Sequence, residues 1–314
     1  MQNTIVKTGD MIVSPLTGRC DARFVSAISS AHIIEQYRKQ FDLDVTDYFK
    51  GIPQVGIYEC PETSFRFFHP ESMAGKDSFY QHLGRFPWFY QEDKWEHVTA
   101  LQYLRAGEKV LDIGSGAGQF LLAAKHTKSA VVTGIELNPD SARLARAQGL
   151  DIVHELLEDH VRTRHDYYDF VCTFQVLEHI ALAGHFIEHC LEALKTGGLF
   201  IVGVPNNDAF FKYDSNVVLN GPPHHMGLWT RKSLTALSRI FPIEIVHVEI
   251  EPLNTIDWYQ SVMERRYLPE RWLHSLYNLL GGPRRFRQYV VDNASSIAGH
   301  SIMVVYRKLD KPPA

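Results

Sequence analysis

The chain has 314 residues, 45% of them hydrophobic and 22% charged, with a formal net charge of -4. This is ordinary for a globular protein with a sizeable core, one large domain plus an accessory piece, and the acidic balance argues against a broad nucleic-acid-binding surface. No apolar run is long enough to span a bilayer, no basic start followed by an apolar stretch marks a signal peptide, and the four cysteines are scattered, so a cytoplasmic protein with reduced thiols is expected.

Residues 1–75 read as an N-terminal accessory region. Short β-like runs (Thr4 to Val6, Gly56 to Glu59, Phe65 to Phe68) flank a helical stretch near Ala31 to Phe41. Ser14-Pro15-Leu16-Thr17-Gly18 resembles the C-P-x-C-G knuckle of a zinc ribbon, and Cys60-Pro61-Glu62-Thr63 resembles the partner knuckle. Of the four ligand positions only Cys60 survives; Ser14, Thr17 and Thr63 occupy the others. Structural zinc needs four nitrogen or sulfur ligands, so none is expected there. Two ordinary turns are the competing reading. Aromatic residues then crowd between Ser78 and His97, where Gly84 to Pro87 separates two short helices.

The stretch Val110-Leu111-Asp112-Ile113-Gly114-Ser115-Gly116-Ala117-Gly118 follows. It reads as a buried strand, Lys109 to Ile113, running into a glycine turn and then a helix from about Gln119. Glycines there let a ligand approach the main chain closely. A second strand, Ala130 to Ile135, ends on Glu136, about 20 residues on, where an acid can bind the two hydroxyls of a ribose. The dinucleotide fingerprint G-x-G-x-x-G is not met, because Gln119 stands at its last glycine position. Asp112 would repel a pyrophosphate but could accept from an ammonium group.

Asn138 caps a helix from Pro139 to Gln148, with proline at its first position. Ile152 to Leu156 is a third strand. Tyr168 to Phe174 is a fourth, ending in Gln175-Val176-Leu177-Glu178-His179, and in an open parallel sheet ligands sit beyond such strand ends. Gln175 and His179 are therefore placed to reach a ligand. A helix from Ala183 to Lys195 is expected to stop at Gly197-Gly198, and Leu199 to Val204 is the fifth strand. Repeated strand–helix–strand order means a parallel sheet covered on both faces.

D-I-G-S-G-A-G, then G-I-E-L-N-P, then F-Q-V-L-E-H closely resemble the motifs of class I S-adenosylmethionine-dependent methyltransferases, from about Trp95 to Tyr306. The resemblance implies an α/β fold: a Rossmann-like, seven-stranded, mostly parallel sheet with helices on both faces, spanning residues 76–314 behind the N-terminal region. It implies S-adenosylmethionine as cofactor, held by Asp112, Gly114, Gly116, Gly118 and Glu136, with Gln175 nearest the sulfonium. Leu157, beside Leu156, would pack the adenine, where many relatives carry an aspartate. Tyr90 and Lys94 would belong to a segment that closes over the cofactor. Zinc ribbons begin some sugar methyltransferases of this class, so residues 1–75 would be a degenerate form of one.

After Asn206 the pattern changes. A long loop carries Gly221-Pro222-Pro223-His224-His225-Met226 and then Trp229-Thr230. P-P-H-H-x-x-x-W-T looks like the acceptor-side loop of bacterial methyltransferases that modify sugars and polysaccharides. Histidine titrates in the range where a hydroxyl proton must be taken, so His225, then His224, are the candidate catalytic bases. Packing beside Trp229 is the rival reading. A metal is the weakest, since adjacent histidines are awkward joint ligands and no carboxylate cluster is evident beside them. A helix from Lys232 to Ile240 and strands from Ile243 to Glu249 and Ser301 to Tyr306 complete the sheet. Between those strands, an insertion at about 253–299 holds an amphipathic helix (Trp272, Leu273, Leu276, Tyr277, Leu280) and Arg265, Arg266, Arg271, Arg284, Arg285 and Arg287. A solvated face explains these arginines, and so does an anionic acceptor such as a sugar nucleotide or a phosphorylated glycan; a membrane-surface role for the helix is the remaining alternative. The expected activity is methyl transfer to a small-molecule or glycan acceptor, most simply a sugar hydroxyl. An NAD(P)-dependent oxidoreductase and a non-enzymatic binding module on the same fold are the alternatives.

Overall fold

The computed structural model describes residues 12–86, 94–214 and 216–310. The N-terminal region contributes β1 (Ile12–Val13), β2 (Cys20–Ser29), α1 (Ser30–Phe41), β3 (Gln54–Glu59) and β4 (Arg66–His69). These four strands are antiparallel neighbours in chain order. Two helices, α2 (Asp77–Leu83) and α3 (Trp95–Ala100), lead to the main sheet.

The main sheet is built from β5 (Lys109–Ile113), α4 (Gln119–Lys128), β6 (Val131–Ile135), α5 (Pro139–Ala147), β7 (Asp151–Val153), α6 (Leu157–His160), β8 (Tyr168–Phe174), α7 (Ala183–Ala193) and β9 (Leu194–Pro205). After it come β10 (Gly227–Leu228), α8 (Arg231–Ala236), β11 (Ile243–Pro252), α9 (Ile256–Tyr267), α10 (Arg271–Leu279), α11 (Gly282–Asn293) and β12 (Ala298–Lys308). Seven strands form one sheet in the order β11-β12-β9-β8-β5-β6-β7. The pairs β9-β8, β8-β5, β5-β6 and β6-β7 are parallel, while β12 runs antiparallel to both neighbours. The α/β sheet expected from the sequence is the one observed.

Central strands read as nearly continuous apolar runs because both their faces are covered. Val110, Phe170, Cys172, Ile201, Met303 and Val305 lie in one core layer, and Leu111, Val171, Phe200, Val202, Ile302 and Val304 in the other. Asn138 caps α5 as expected: its side chain accepts from the amides of Asp140 (2.9 Å) and Ser141 (3.4 Å), with Pro139 in the first turn. Several boundaries differ: the third strand is Asp151–Val153 and does not reach Leu156, and the fifth begins at Leu194 and not at Leu199. The helix expected to reach Lys195 ends at Ala193, because Leu194 is already a buried strand residue paired with Tyr168. Register then shifts until Phe170 pairs with Leu199. Gly197, at a φ of 79°, serves this irregularity inside the strand and caps no helix.

The strand β10 was not foreseen. It pairs with β4, Gly227 opposite Phe67 and Leu228 opposite Arg66, so the last strand of the N-terminal sheet comes from the loop behind the two histidines. Fully buried Trp229 stacks on Phe65 of the N-terminal region, with ring centroids 4.1 Å apart. The amide of Gly75 also donates to the Pro223 carbonyl at 2.8 Å. The accessory region thus holds the Pro-Pro-His-His segment from outside. Its two knuckle-like turns meet, with Thr17 Oγ1 4.0 Å from Cys60 Sγ, and Ser14, Cys60 and Thr63 are buried.

Candidate active site

One cavity of about 1260 Å³ runs over the carboxyl ends of β5, β6, β8 and β9. One part of its lining is the glycine turn. Gly114, Gly116 and Gly118 have φ of 76°, 55° and 82°, a region that only glycine enters without strain. At Gly114 a Cβ would also overlap Val176. The turn is fastened to β6: Glu136 accepts from the Gly116 amide at 2.7 Å and from the Asn138 amide at 2.6 Å. Leu137, Leu156 and Leu157 also line the cavity; Leu137 and Leu156 are partly exposed, whereas Leu157 is buried in the core. Leu137 was missed in the sequence, although an apolar residue directly after the acid at the end of β6 was a usable signal.

Asp112 lies at the end of β5, buried and lining the cavity, and accepts a weak thiol hydrogen bond from Cys172 at 3.6 Å. Cys172, buried on β8, therefore touches a residue of the site. Burial pushes the Asp112 carboxyl up to about 7; the Cys172 thiol and the Lys94 ammonium pull it back, and Glu136 adds to the rise. Its pH dependence follows. A cationic ligand needs the ionised form, so affinity for such a ligand should rise with pH through about 7. It should be about tenfold weaker at pH 6 than at pH 8, and Asp112→Asn should flatten the dependence; calorimetry at the two pH values checks this. The ligand-free fold shows the opposite trend. With the folded value above the unfolded one, this group contributes most stability below the ordinary carboxylate range and loses it as pH rises through about 7.

Gln175 follows β8 with a φ of 56°, unusual for a residue other than glycine. Its amide donates to the Gly203 carbonyl at 2.8 Å, and its Nε2 donates to Glu96 Oε1 at 2.6 Å. Glu96, almost fully buried on α3, was not singled out from the sequence. Lys94 lines the same cavity at the start of α3, whereas Tyr90 lies outside the described residues. The cavity is acidic: Asp112, Glu96, Glu136, Glu178 and Glu251 all face it. Burial pushes Glu178 up to about 8 and raises Glu136 and Glu251 above the usual carboxylate range.

The far wall carries the histidines. His224 and His225 are both buried and line the cavity, and the structure adds His179, from the short turn after β8. Ring centroids lie 4.5 Å apart for His179–His224, 5.0 Å for His179–His225 and 4.5 Å for His224–His225. Burial holds all three imidazoles well below their ordinary value, so they are neutral near pH 7. Tyr80 on α2 donates to the His224 carbonyl at 3.3 Å. Directly behind, the Met226 amide donates to the Glu178 carbonyl at 2.7 Å and ties this loop to the end of β8. The sequence showed no carboxylate cluster beside the pair; the fold brings one carboxyl, Glu178, and the imidazole of His179 to it. His179 and Glu178 are 45 and 46 residues away in sequence, and only the sheet brings them together.

The insertion's arginines do not line this cavity. Arg265 pairs with Asp214 at 3.0 Å, Arg287 pairs with Asp257 at 3.0 Å, and the Arg266 guanidinium lies 3.4 Å from the Tyr213 ring centroid. Arg284 and Arg285 are exposed. An anionic acceptor group bound by those two is therefore not favoured by their placement. Arg284→Ala plus Arg285→Ala should leave acceptor KM within about twofold in steady-state assays; a rise well beyond that would restore their role.

A family model described as a methyltransferase domain matches residues 90–248. Among characterised sequences, the chain is 33% identical over 98 residues to a ubiquinone biosynthesis O-methyltransferase of Vibrio atlanticus (strain LGP32), covering 29% of this chain and 41% of that one. It is 33% identical over 113 residues to the protein of the same name from Glaesserella parasuis serovar 5 (strain SH0165), covering 33% and 48%. The chain thus spans less than half the length of these relatives. A crystal structure of a SAM dependent methyltransferase from Archaeoglobus fulgidus superposes with a TM-score of 0.51 at 16% identity, covering 73% of this chain and 100% of that one, which shows a shared fold.

Proposed function

The chain belongs to the methyltransferase-domain family, and from that premise we propose that it moves the methyl group of S-adenosylmethionine to a hydroxyl of a small-molecule acceptor. The observation that carries this reading is a single cavity lined both by the glycine turn with Glu136 and by the three histidines. The residues fit the donor. Glu136 keeps acceptor capacity for a ribose diol beyond its two backbone contacts. Asp112 is a buried carboxylate suited to an ammonium group, and Leu137, Leu156 and Leu157 offer an apolar edge for adenine. When bound, S-adenosylmethionine supplies an electrophilic methyl group on a sulfonium.

The chain's own residues supply position and electrostatics. Gln175 and Glu96, locked together at 2.6 Å, sit between the donor end and the histidine wall. The buried carboxylates favour a cationic donor over a neutral one. His225 and His224 receive the acceptor hydroxyl and its proton, and burial of the wall keeps competing water away. A sugar hydroxyl remains our finer reading of the acceptor, and it rests on the Pro-Pro-His-His loop and the ribbon-like N-terminus. Calorimetry should give micromolar binding of S-adenosylmethionine and none of NAD, and a panel of hydroxylated acceptors should take up label from the methyl donor. No donor binding would refute the reading.

A further inference from the structure

We propose that His179, His224 and His225 form a binding site for one divalent transition-metal ion, best suited to Zn²⁺, open to the acceptor side of the cavity. Each ring offers one nitrogen, and the three nitrogens lie within 4.8 Å of one another. In a tetrahedral zinc site with Zn–N bonds of about 2.0–2.1 Å, such nitrogens sit roughly 3.3 Å apart. Side-chain rotations that move each nitrogen by about an ångström close the set.

The hydrogen bonds behind the rings fit metal ligation. His179 Nδ1 lies 2.7 Å from the His224 carbonyl, and His224 Nδ1 lies 3.1 Å from the Leu219 carbonyl. A carbonyl can only accept, so both Nδ1 atoms carry the proton and the lone pairs are on Nε2. His225 Nδ1 lies 3.1 Å from Asn220 Oδ1, and Asn220 is itself oriented by donating from Nδ2 to Asn207 Oδ1 at 2.8 Å. Metal-binding histidines are held in this way, with the far nitrogen donating to a carbonyl or amide oxygen.

Charge gives an independent argument. Glu178 is 1% exposed, and neither of its carboxylate oxygens has a hydrogen-bond partner among the described residues. Its Oε1 lies 3.9 Å from His179 Nε2. A divalent ion on the three rings would give these two orphaned oxygens a cationic neighbour. Three protein ligands with a cavity in front leave a coordination position free, the arrangement of a catalytic zinc site.

This inference rests on the methyl-transfer reading for its chemistry. The acceptor hydroxyl oxygen takes the free position, and its proton passes to solvent because the ion lowers its pKa. An oxygen lone pair then forms the O–CH₃ bond as the S–CH₃ bond breaks, and that electron pair stays on sulfur.

The test uses full-length protein purified without a polyhistidine tag. Elemental analysis should find one zinc per chain, and Co²⁺ added to the stripped protein should give tetrahedral ligand-field absorption. His179→Ala and the His224→Ala, His225→Ala double variant should lose both signals, whereas Cys60→Ser should keep them, separating this site from the ribbon-like turns. Asn220→Ala, which removes only the support of one ring, should weaken Co²⁺ binding roughly 10- to 100-fold and guards against misfolding of the other variants. Wild-type protein that binds S-adenosylmethionine normally yet shows no zinc and no Co²⁺ spectrum would overturn the metal site. Metal lost with Cys60→Ser but kept in the histidine variants would overturn it too. A metal at the histidines without donor binding would leave the site standing and remove the methyl-transfer reading.

Discussion

Glu136→Ala should weaken S-adenosylmethionine binding by roughly 10²-fold or more. A buried carboxylate that accepts from a ribose diol makes two charge-assisted hydrogen bonds, each worth about 1.5–3 kcal/mol. This carboxylate also holds the Gly116 and Asn138 amides at 2.7 and 2.6 Å, so its loss frees the turn that cradles the ligand. Both effects act in one direction. The fold should survive, because the β5-β6 pairing from Lys109 with Val131 to Ile113 with Ile135 does not depend on the side chain. Calorimetry on wild type and variant, with circular dichroism to confirm folding, measures the difference. A folded variant that binds the donor within about fivefold of wild type would show that Glu136 serves the turn and not the ligand.

His225→Ala or His224→Ala should lower kcat by roughly 10²-fold or more while donor affinity changes only a few-fold. The histidines and Glu136 line the cavity from different segments, the loop before β10 and the end of β6, so removing a histidine should act on the acceptor step and spare the donor. The outcome distinguishes a chemical role from a packing role. The packing anchor of this loop is Trp229, buried against Phe65, and it is untouched in either variant. Normal turnover in both variants would make the rings structural and place the group that handles the hydroxyl proton elsewhere. The effect is expected whether the rings take the proton directly or through a bound ion; only the metal measurements separate those two routes.

Local sequence carried the donor half of the site. The turn Gly114 to Gly118, the strand before it and Glu136 lie within one strand–helix–strand unit, where short-range sterics decide the geometry: positive φ at three glycines, an asparagine cap, an acid at a strand end. The fold class followed from the same alternation of apolar strands and amphipathic helices. Boundaries were less legible. The Gly197-Gly198 pair looked like a helix stop, but burying Leu194 beside Tyr168 ended the helix at Ala193, two residues before the expected Lys195. The arginines of the insertion looked like an acceptor contact, yet pairing with Asp214 and Asp257 takes up two of them and none lines the cavity.

By itself, then, the sequence determined the α/β class and the glycine turn after β5, and it singled out the pair His224-His225. Tertiary structure alone decided what surrounds that pair. His179 and Glu178 reach it across the end of β8, and Tyr80 reaches it from α2. The loop is held in place by β10 pairing with β4, so the described part of the N-terminal region positions the histidine wall. Such contacts leave no periodic or local signal. Each is set by the burial of Trp229 against Phe65 and by backbone hydrogen bonds between segments distant in sequence, and these exist only once the two sheets have packed.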